Sequence, residues 1–131
     1  MRIIAGKNRG RKLEAPDGST VRPTSDRARE ALFDILTHGR FAEGPVYEDA
    51  LVLDAFAGTG AFGLEALSRG ARFAAFMEKD RVARGALAAN VAALGETAHA
   101  AVLSADATKP PRATGACGLV FLDPPYHEDV G

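Results

Sequence analysis

The sequence predicts an α/β protein built on a mostly parallel sheet flanked by helices, and three observations carry that prediction. From Leu51 onward, short apolar runs alternate with helical patterns, the signature of βαβ units. The first run leads into Asp54-Ala55-Phe56-Ala57-Gly58-Thr59-Gly60-Ala61-Phe62-Gly63, a glycine turn that opens directly onto a helix. The last run, Leu119 to Leu122, is apolar throughout and is followed by Asp123-Pro124-Pro125-Tyr126, which puts chemistry at a strand tip.

Residues 1–23 hold short apolar pieces, Ile3-Ile4-Ala5 and Leu13, separated by Gly6-Lys7-Asn8-Arg9-Gly10-Arg11-Lys12, and read as a basic hairpin or loop. Ala28, Ala31, Leu32, Ile35 and Leu36 then recur at the spacing of an amphipathic helix. Thr24 or Ser25 can cap that helix, Asp26 favours its dipole and Gly39 stops it. Phe41 to Asp49 is a connector. The four strands expected are Leu51 to Phe56, Arg72 to Met77, Ala100 to Leu103 and Leu119 to Leu122. One helix runs from about Ala61 to Arg69, closed by Gly70, and another from about Asp80 to Leu94, closed by Gly95. A loop, Thr108 to Ala116, joins the last two strands. The chain thus divides into a basic hairpin-and-helix extension, residues 1–40, and a ligand-binding sheet domain, residues 41–131.

At 131 residues the chain has the length of one domain, and such a chain buries roughly two-thirds of its unfolded surface. Apolar residues make up 47% and charged residues 25%, the balance of a folded protein and not of a disordered one. The net charge of −1 hides a segregation. Residues 1–40 carry nine Lys/Arg against five Asp/Glu, hence +4, and residues 41–131 carry seven against twelve, hence −5. A basic extension before an acidic body suits contact with a polyanion. Cys117 is the only cysteine, which rules out an internal disulfide and points to a reducing cytoplasm. His38, His99 and His127 lie too far apart for a metal set, so no metal is expected. No run approaches 18 apolar residues and no signal-peptide pattern occurs, so neither membrane insertion nor export is expected.

The glycine turn alone is ambiguous, because Gly58-x-Gly60-x-x-Gly63 with Glu78 after the second strand also satisfies the dinucleotide fingerprint. Asp54 tips the balance. A carboxylate four residues before the first glycine repels a pyrophosphate and attracts an ammonium. S-adenosylmethionine supplies an α-ammonium, a sulfonium, ribose hydroxyls and an adenine, and no phosphate. On this reading Asp54 with the Gly58 and Gly60 backbone takes the methionine end, Glu78 the ribose diol and Asp106 the adenine amine. The stiff Asp123-Pro124-Pro125-Tyr126 loop offers an acid, a free carbonyl and an aromatic ring, a set that suits a planar amine-bearing base.

The order Asp54-x-Phe56-x-Gly58-x-Gly60, Glu78, Asp106 and Asp123-Pro-Pro-Tyr126 resembles the class I methyltransferases that modify exocyclic amines, with their Rossmann-like fold. The N-terminus narrows the resemblance. Arg2-Ile-Ile-Ala-Gly6, Gly10-Arg-Lys-Leu13 and Val21-Arg-Pro-Thr-Ser-Asp-Arg-Ala-Arg-Glu-Ala-Leu-Phe33 are similar to the RsmD family, guanine-N2 methyltransferases of 16S ribosomal RNA. The resemblance implies S-adenosylmethionine as cofactor, with Phe56 and Ala107 beside the acids that bind it. It implies that Asp123 and the Pro124 carbonyl orient the guanine amine while Tyr126 stacks on a flipped base. Arg9, Arg11, Lys12, Arg22, Arg27, Arg29 and Pro125 are then candidates for contact with 16S RNA or the small ribosomal subunit. No obligate protein partner is implied. Compared with that family, the chain stops before the last strands of the fold, which leaves the fourth strand as an apolar edge. Two other functions stay open at this point: a nicotinamide-dependent oxidoreductase, and a non-catalytic RNA-binding or assembly module.

Overall fold

The four apolar runs pair into one sheet. β1 (Leu51–Asp54), β2 (Phe73–Met77), β3 (Ala100–Leu103) and β4 (Leu119–Phe121) are all parallel and stand in the order β3-β2-β1-β4. α1 (Asp26–His38) precedes the sheet, while α2 (Ala61–Ser68) and α3 (Arg81–Ala93) link its first three strands. The computed structural model describes residues 1–15, 25–39, 44–105 and 118–122. The expected α/β architecture is therefore observed, with element ends moved by one or two residues. A short 3-10 turn at Thr97–His99, which the sequence reading did not anticipate, leads into β3.

The topology decides where ligands can sit. Steps from β1 to β2 to β3 run in one direction, so right-handed crossovers put α2 and α3 on the same face. β4 lies on the other side of β1, so the strand order reverses between β1 and β4, and such a reversal opens a crevice at the carboxyl ends. Burial follows the period of two. Val52, Asp54, Ala74, Phe76 and Phe121 face the helices and are buried. On the opposite face Leu53 is half-buried, and Leu103, Val120 and Leu122 are 37%, 46% and 69% exposed.

The basic N-terminal hairpin is docked on the body. Arg2 and Lys12 form an antiparallel bridge, Ile3 and Leu13 are buried, and both belong to one core with Phe33, Val52, Leu64, Leu67, Phe76, Leu87 and Phe121. The boundary near residue 40 is a division of charge, and the hydrophobic core runs across it. Ser25 caps α1 by accepting the Ala28 N–H at 3.1 Å. The buried side of α1 differs from the expected stripe: Arg29 and Phe33 are buried, Leu32 and Leu36 partly so, and Ile35 is 65% exposed. The helix is rotated because Phe33 packs on Tyr47 and Phe121, each with its ring centroid 5.6 Å away, and Arg29 reaches a buried carboxylate.

That carboxylate is Glu65 of α2. Its Oε1 accepts the Ile4 N–H at 2.9 Å and Arg29 Nε at 3.4 Å, and its Oε2 accepts the Ala5 N–H at 3.1 Å and Arg69 Nε at 2.8 Å. Burial alone would weaken the charge on Arg69, but hydrogen bonds and attraction from Glu65 and Tyr47 outweigh it and hold the guanidinium above its ordinary value. The same guanidinium lies 4.7 Å from the centroid of Phe33. A fully buried acid is tolerable here because every donor that meets it is itself otherwise unsatisfied.

Candidate functional site

The tips of the four strands are tied together. Ala55 N–H donates to Phe121 O at 3.0 Å, Ala57 N–H to Met77 O at 3.0 Å and Glu78 N–H to Leu103 O at 3.1 Å. The turn between β1 and α2 therefore lies between the ends of its neighbours. Gly58 and Gly60 hold φ of 55° and 88°, left-handed values that favour glycine. A Cβ on Gly60 would lie 2.3 Å from Leu87 Cδ1, and one on Gly63 would lie 2.3 Å from the ring of Phe76. A Cβ on Gly58 would meet nothing within 4 Å. Two of the glycines thus let the helix pack closely, and the third leaves open space in front of the turn.

Two carboxylates embrace this turn. Asp54 is buried, and its Oδ2 accepts the Gly63 N–H at 3.1 Å, in the first turn of α2. Glu78 is half-buried; its Oε1 accepts the Gly58 N–H and its Oε2 the Asp80 N–H, both at 2.8 Å. Asp80 caps α3 through the Ala83 N–H, and Arg84 braces the loop by donating to the carbonyls of Glu78 and Lys79 at 3.1 and 2.7 Å. The Gly60 N–H donates to Ala57 O at 2.7 Å. Both glycine amides assigned to a ligand from the sequence are thus engaged within the chain. What the turn offers is its carbonyl oxygens, its shape and the remaining lone pairs of Glu78. This acceptor-rich set fits a ligand that presents an ammonium and hydroxyls, and it is ill suited to a pyrophosphate. Phe56 is half-buried within the same turn.

The structure brings Asp54, Phe56, Gly58, Gly60 and Glu78 together. Asp106, Ala107, Asp123, Pro124, Pro125, Tyr126 and Arg22 lie outside the described residues. Of the basic candidates, Arg9, Arg11, Lys12 and Arg27 are exposed. Arg11 is braced on α3, with Nη2 donating to Ala93 O at 2.6 Å. Arg29 is corrected: it is 0% exposed, bonded to Glu65, Asp26 and the Arg2 carbonyl, and its charge is neutralised in the interior where no phosphate reaches it. Sequence reasoning missed Asn90, a buried amide that touches the turn through Thr59 O at 3.0 Å. Its signal was a polar residue on the apolar stripe of Leu87, Val91 and Leu94. Among the described residues there is no group of three or more potential metal ligands and no helix long and apolar enough to cross a membrane.

Comparison with known proteins follows the same lines. The ribosomal RNA small subunit methyltransferase D of Escherichia coli K12 is 45% identical over 131 residues, which cover 99% of this chain and 62% of that protein. Its namesake in Haemophilus influenzae is 39% identical, covering 97% of this chain and 64% of that protein. The solved structure of yhhF from Escherichia coli, described as a methyltransferase, matches with a TM-score of 0.80 at 44% identity, over 99% of this chain and 67% of that one. The chain spans 62% to 68% of the length of the first curated relatives it matches. The family described as Conserved hypothetical protein 95 matches residues 1–131, and the chain belongs to it: the RsmD family that its N-terminal string resembles, on a class I methyltransferase fold.

Proposed function

We propose that this chain binds S-adenosylmethionine at the β1–α2 turn and serves methyl transfer to the exocyclic N2 amine of a guanine in 16S ribosomal RNA. The observation that carries this reading is the convergence of Asp54 and Glu78 on one glycine turn at the switch point of the sheet. Asp54 and the turn carbonyls would hold an ammonium, and Glu78, with lone pairs beyond those used by Gly58 and Asp80, would accept ribose hydroxyls. When bound, the sulfonium supplies an already activated methyl group. The chain would contribute orientation. Asp123 and the Pro124 carbonyl would accept the two hydrogens of the guanine amine and aim its nitrogen, Tyr126 would stack on the extruded base and Pro125 would line its entrance. Asp106 and Ala107 would complete the adenine end. Arg9, Arg11, Lys12, Arg22 and Arg27 would meet phosphates, and the relatives named as small-subunit rRNA methyltransferases support an RNA or ribosomal partner.

The competing nicotinamide reading requires a turn that welcomes pyrophosphate, and the Asp54 carboxylate beneath the turn opposes that. Calorimetric titration tests the choice: S-adenosylhomocysteine should bind and NAD should not, and the reverse would overturn the proposal. Labelled methyl transfer to undermethylated small subunits should be lost in Asp123→Ala while S-adenosylhomocysteine binding persists.

A further inference from the structure

Asn90 occupies a position where the helix pattern calls for an apolar residue. It lies on α3 between Leu87, Val91 and Leu94, all buried, and is itself only 2% exposed. Asparagine is a mediocre helix former, and burying its amide without partners is costly, so its presence needs a reason. The reason is a bridge. Oδ1 accepts the Glu14 N–H at 2.8 Å, and Nδ2 donates to Glu14 O at 3.0 Å and to Thr59 O at 3.0 Å. Both donors of the amide are used, and the three bonds join two segments that lie 76 and 31 residues away in sequence. One segment is the basic N-terminal hairpin; the other is the peptide between Gly58 and Gly60. The oxygen meets an N–H and the nitrogen meets two carbonyls, so only one orientation of the amide satisfies all three partners.

From this geometry we infer that Asn90 is a positioning residue that couples the cofactor turn to the N-terminal hairpin, so that ligand at the turn and RNA on the hairpin strengthen each other's binding. The inference rests on the function proposed above. Thr59 O is held by Asn90 while the flanking Gly58 and Gly60 carry left-handed φ, so a ligand that fixes the turn also fixes the amide and, through it, Glu14. Arg11 on Ala93 O and Lys7 on Glu96 at 2.8 Å fasten the rest of the hairpin along the same helix and its C-terminal end, so the basic residues move with it. Coupling between two sites is reciprocal by linkage.

The test compares the full chain with Asn90→Asp and Asn90→Ser. Aspartate keeps the shape and can accept the Glu14 N–H, but it turns lone pairs toward both carbonyls; serine is too short to span the gap. The readout is the ratio of 16S RNA transcript affinity with and without S-adenosylhomocysteine. In the parent chain that ratio should be about 5 or more, the lower range of ordinary allosteric coupling, and in both variants it should fall to about 1. A merely structural role would weaken folding or either affinity and leave the ratio alone. Amide exchange without any ligand gives a second readout. Both variants should accelerate Glu14, Gly58 and Gly60 while Phe76 in the core stays slow. A parent ratio near 1, a variant that keeps the parent ratio, or exchange that rises at Glu14 but not at the turn overturns the inference. Failure of the parent to bind S-adenosylhomocysteine sinks the proposed function and with it the linkage, while the exchange result still decides whether the bridge exists. Should the aspartate variant not fold, the serine variant decides by the same criteria.

Discussion

Three glycines of one turn differ in what a methyl group would meet. On Gly63 it enters the ring of Phe76, at 2.3 and 2.8 Å from two ring carbons, so the ring or an element must shift. Gly63→Ala should therefore lose about 1–3 kcal/mol of stability by overpacking, although alanine favours helices, and urea denaturation will read this directly. On Gly58 the methyl enters open space in front of the turn, and the left-handed φ costs about 1 kcal/mol. Gly58→Ala should leave a folded protein whose S-adenosylhomocysteine affinity falls about tenfold, since 1.4 kcal/mol of lost contact is enough for that. Equal loss of affinity in both variants would contradict this division of labour. The sequence displayed all three glycines and could not rank them, because rank depends on which side chain from another element lies opposite.

At the scale of elements, α/β alternation made β1, β2, β3, α2 and α3 legible to within a residue or two, since periodicity and caps are local signals. Ser25 was readable as a cap position, and Asp80 as the start of α3, for the same reason. The buried side of α1 was not legible. Its apolar spacing suits a stripe through Ala28, Ala31 and Ile35, yet long-range pairing of Arg29 with Glu65 and the packing of Phe33 rotate it. Asp54 and Glu78 could be found from spacing, whereas Glu65 and Asn90 could not, because their partners lie dozens of residues away. Glu65 joins the hairpin, α1 and the end of α2. Glu65→Gln should destabilise by about 3–5 kcal/mol, since it removes the buried negative charge that Arg29 and Arg69 share and turns an amide N–H2 toward one pair of donors, and the loss should appear as a lower urea midpoint. A shift below about 0.5 kcal/mol, the range of ordinary surface changes, would show that the carboxylate is incidental.

At the scale of the molecule, the sheet has one face under α1, α2 and α3 and one that carries Leu53, Val120 and Leu122, the last two 46% and 69% exposed. Exposed apolar surface favours self-association. Val120→Thr with Leu122→Lys should lower dye binding and concentration-dependent sedimentation and leave the S-adenosylhomocysteine site intact, because β4 meets β1 through its backbone. Unchanged sedimentation would assign any association to another surface. The Glu65 cluster has a consequence for how the chain comes apart. First residues of a chain ordinarily fray on their own, at little free energy. Here the Ile4 and Ala5 amides end on a carboxylate that also holds Arg29 and Arg69, so releasing them leaves buried charge behind. The N-terminus should thus open only with the whole domain, and its amides should exchange at the global unfolding rate: the beginning of the chain behaves kinetically as part of its centre.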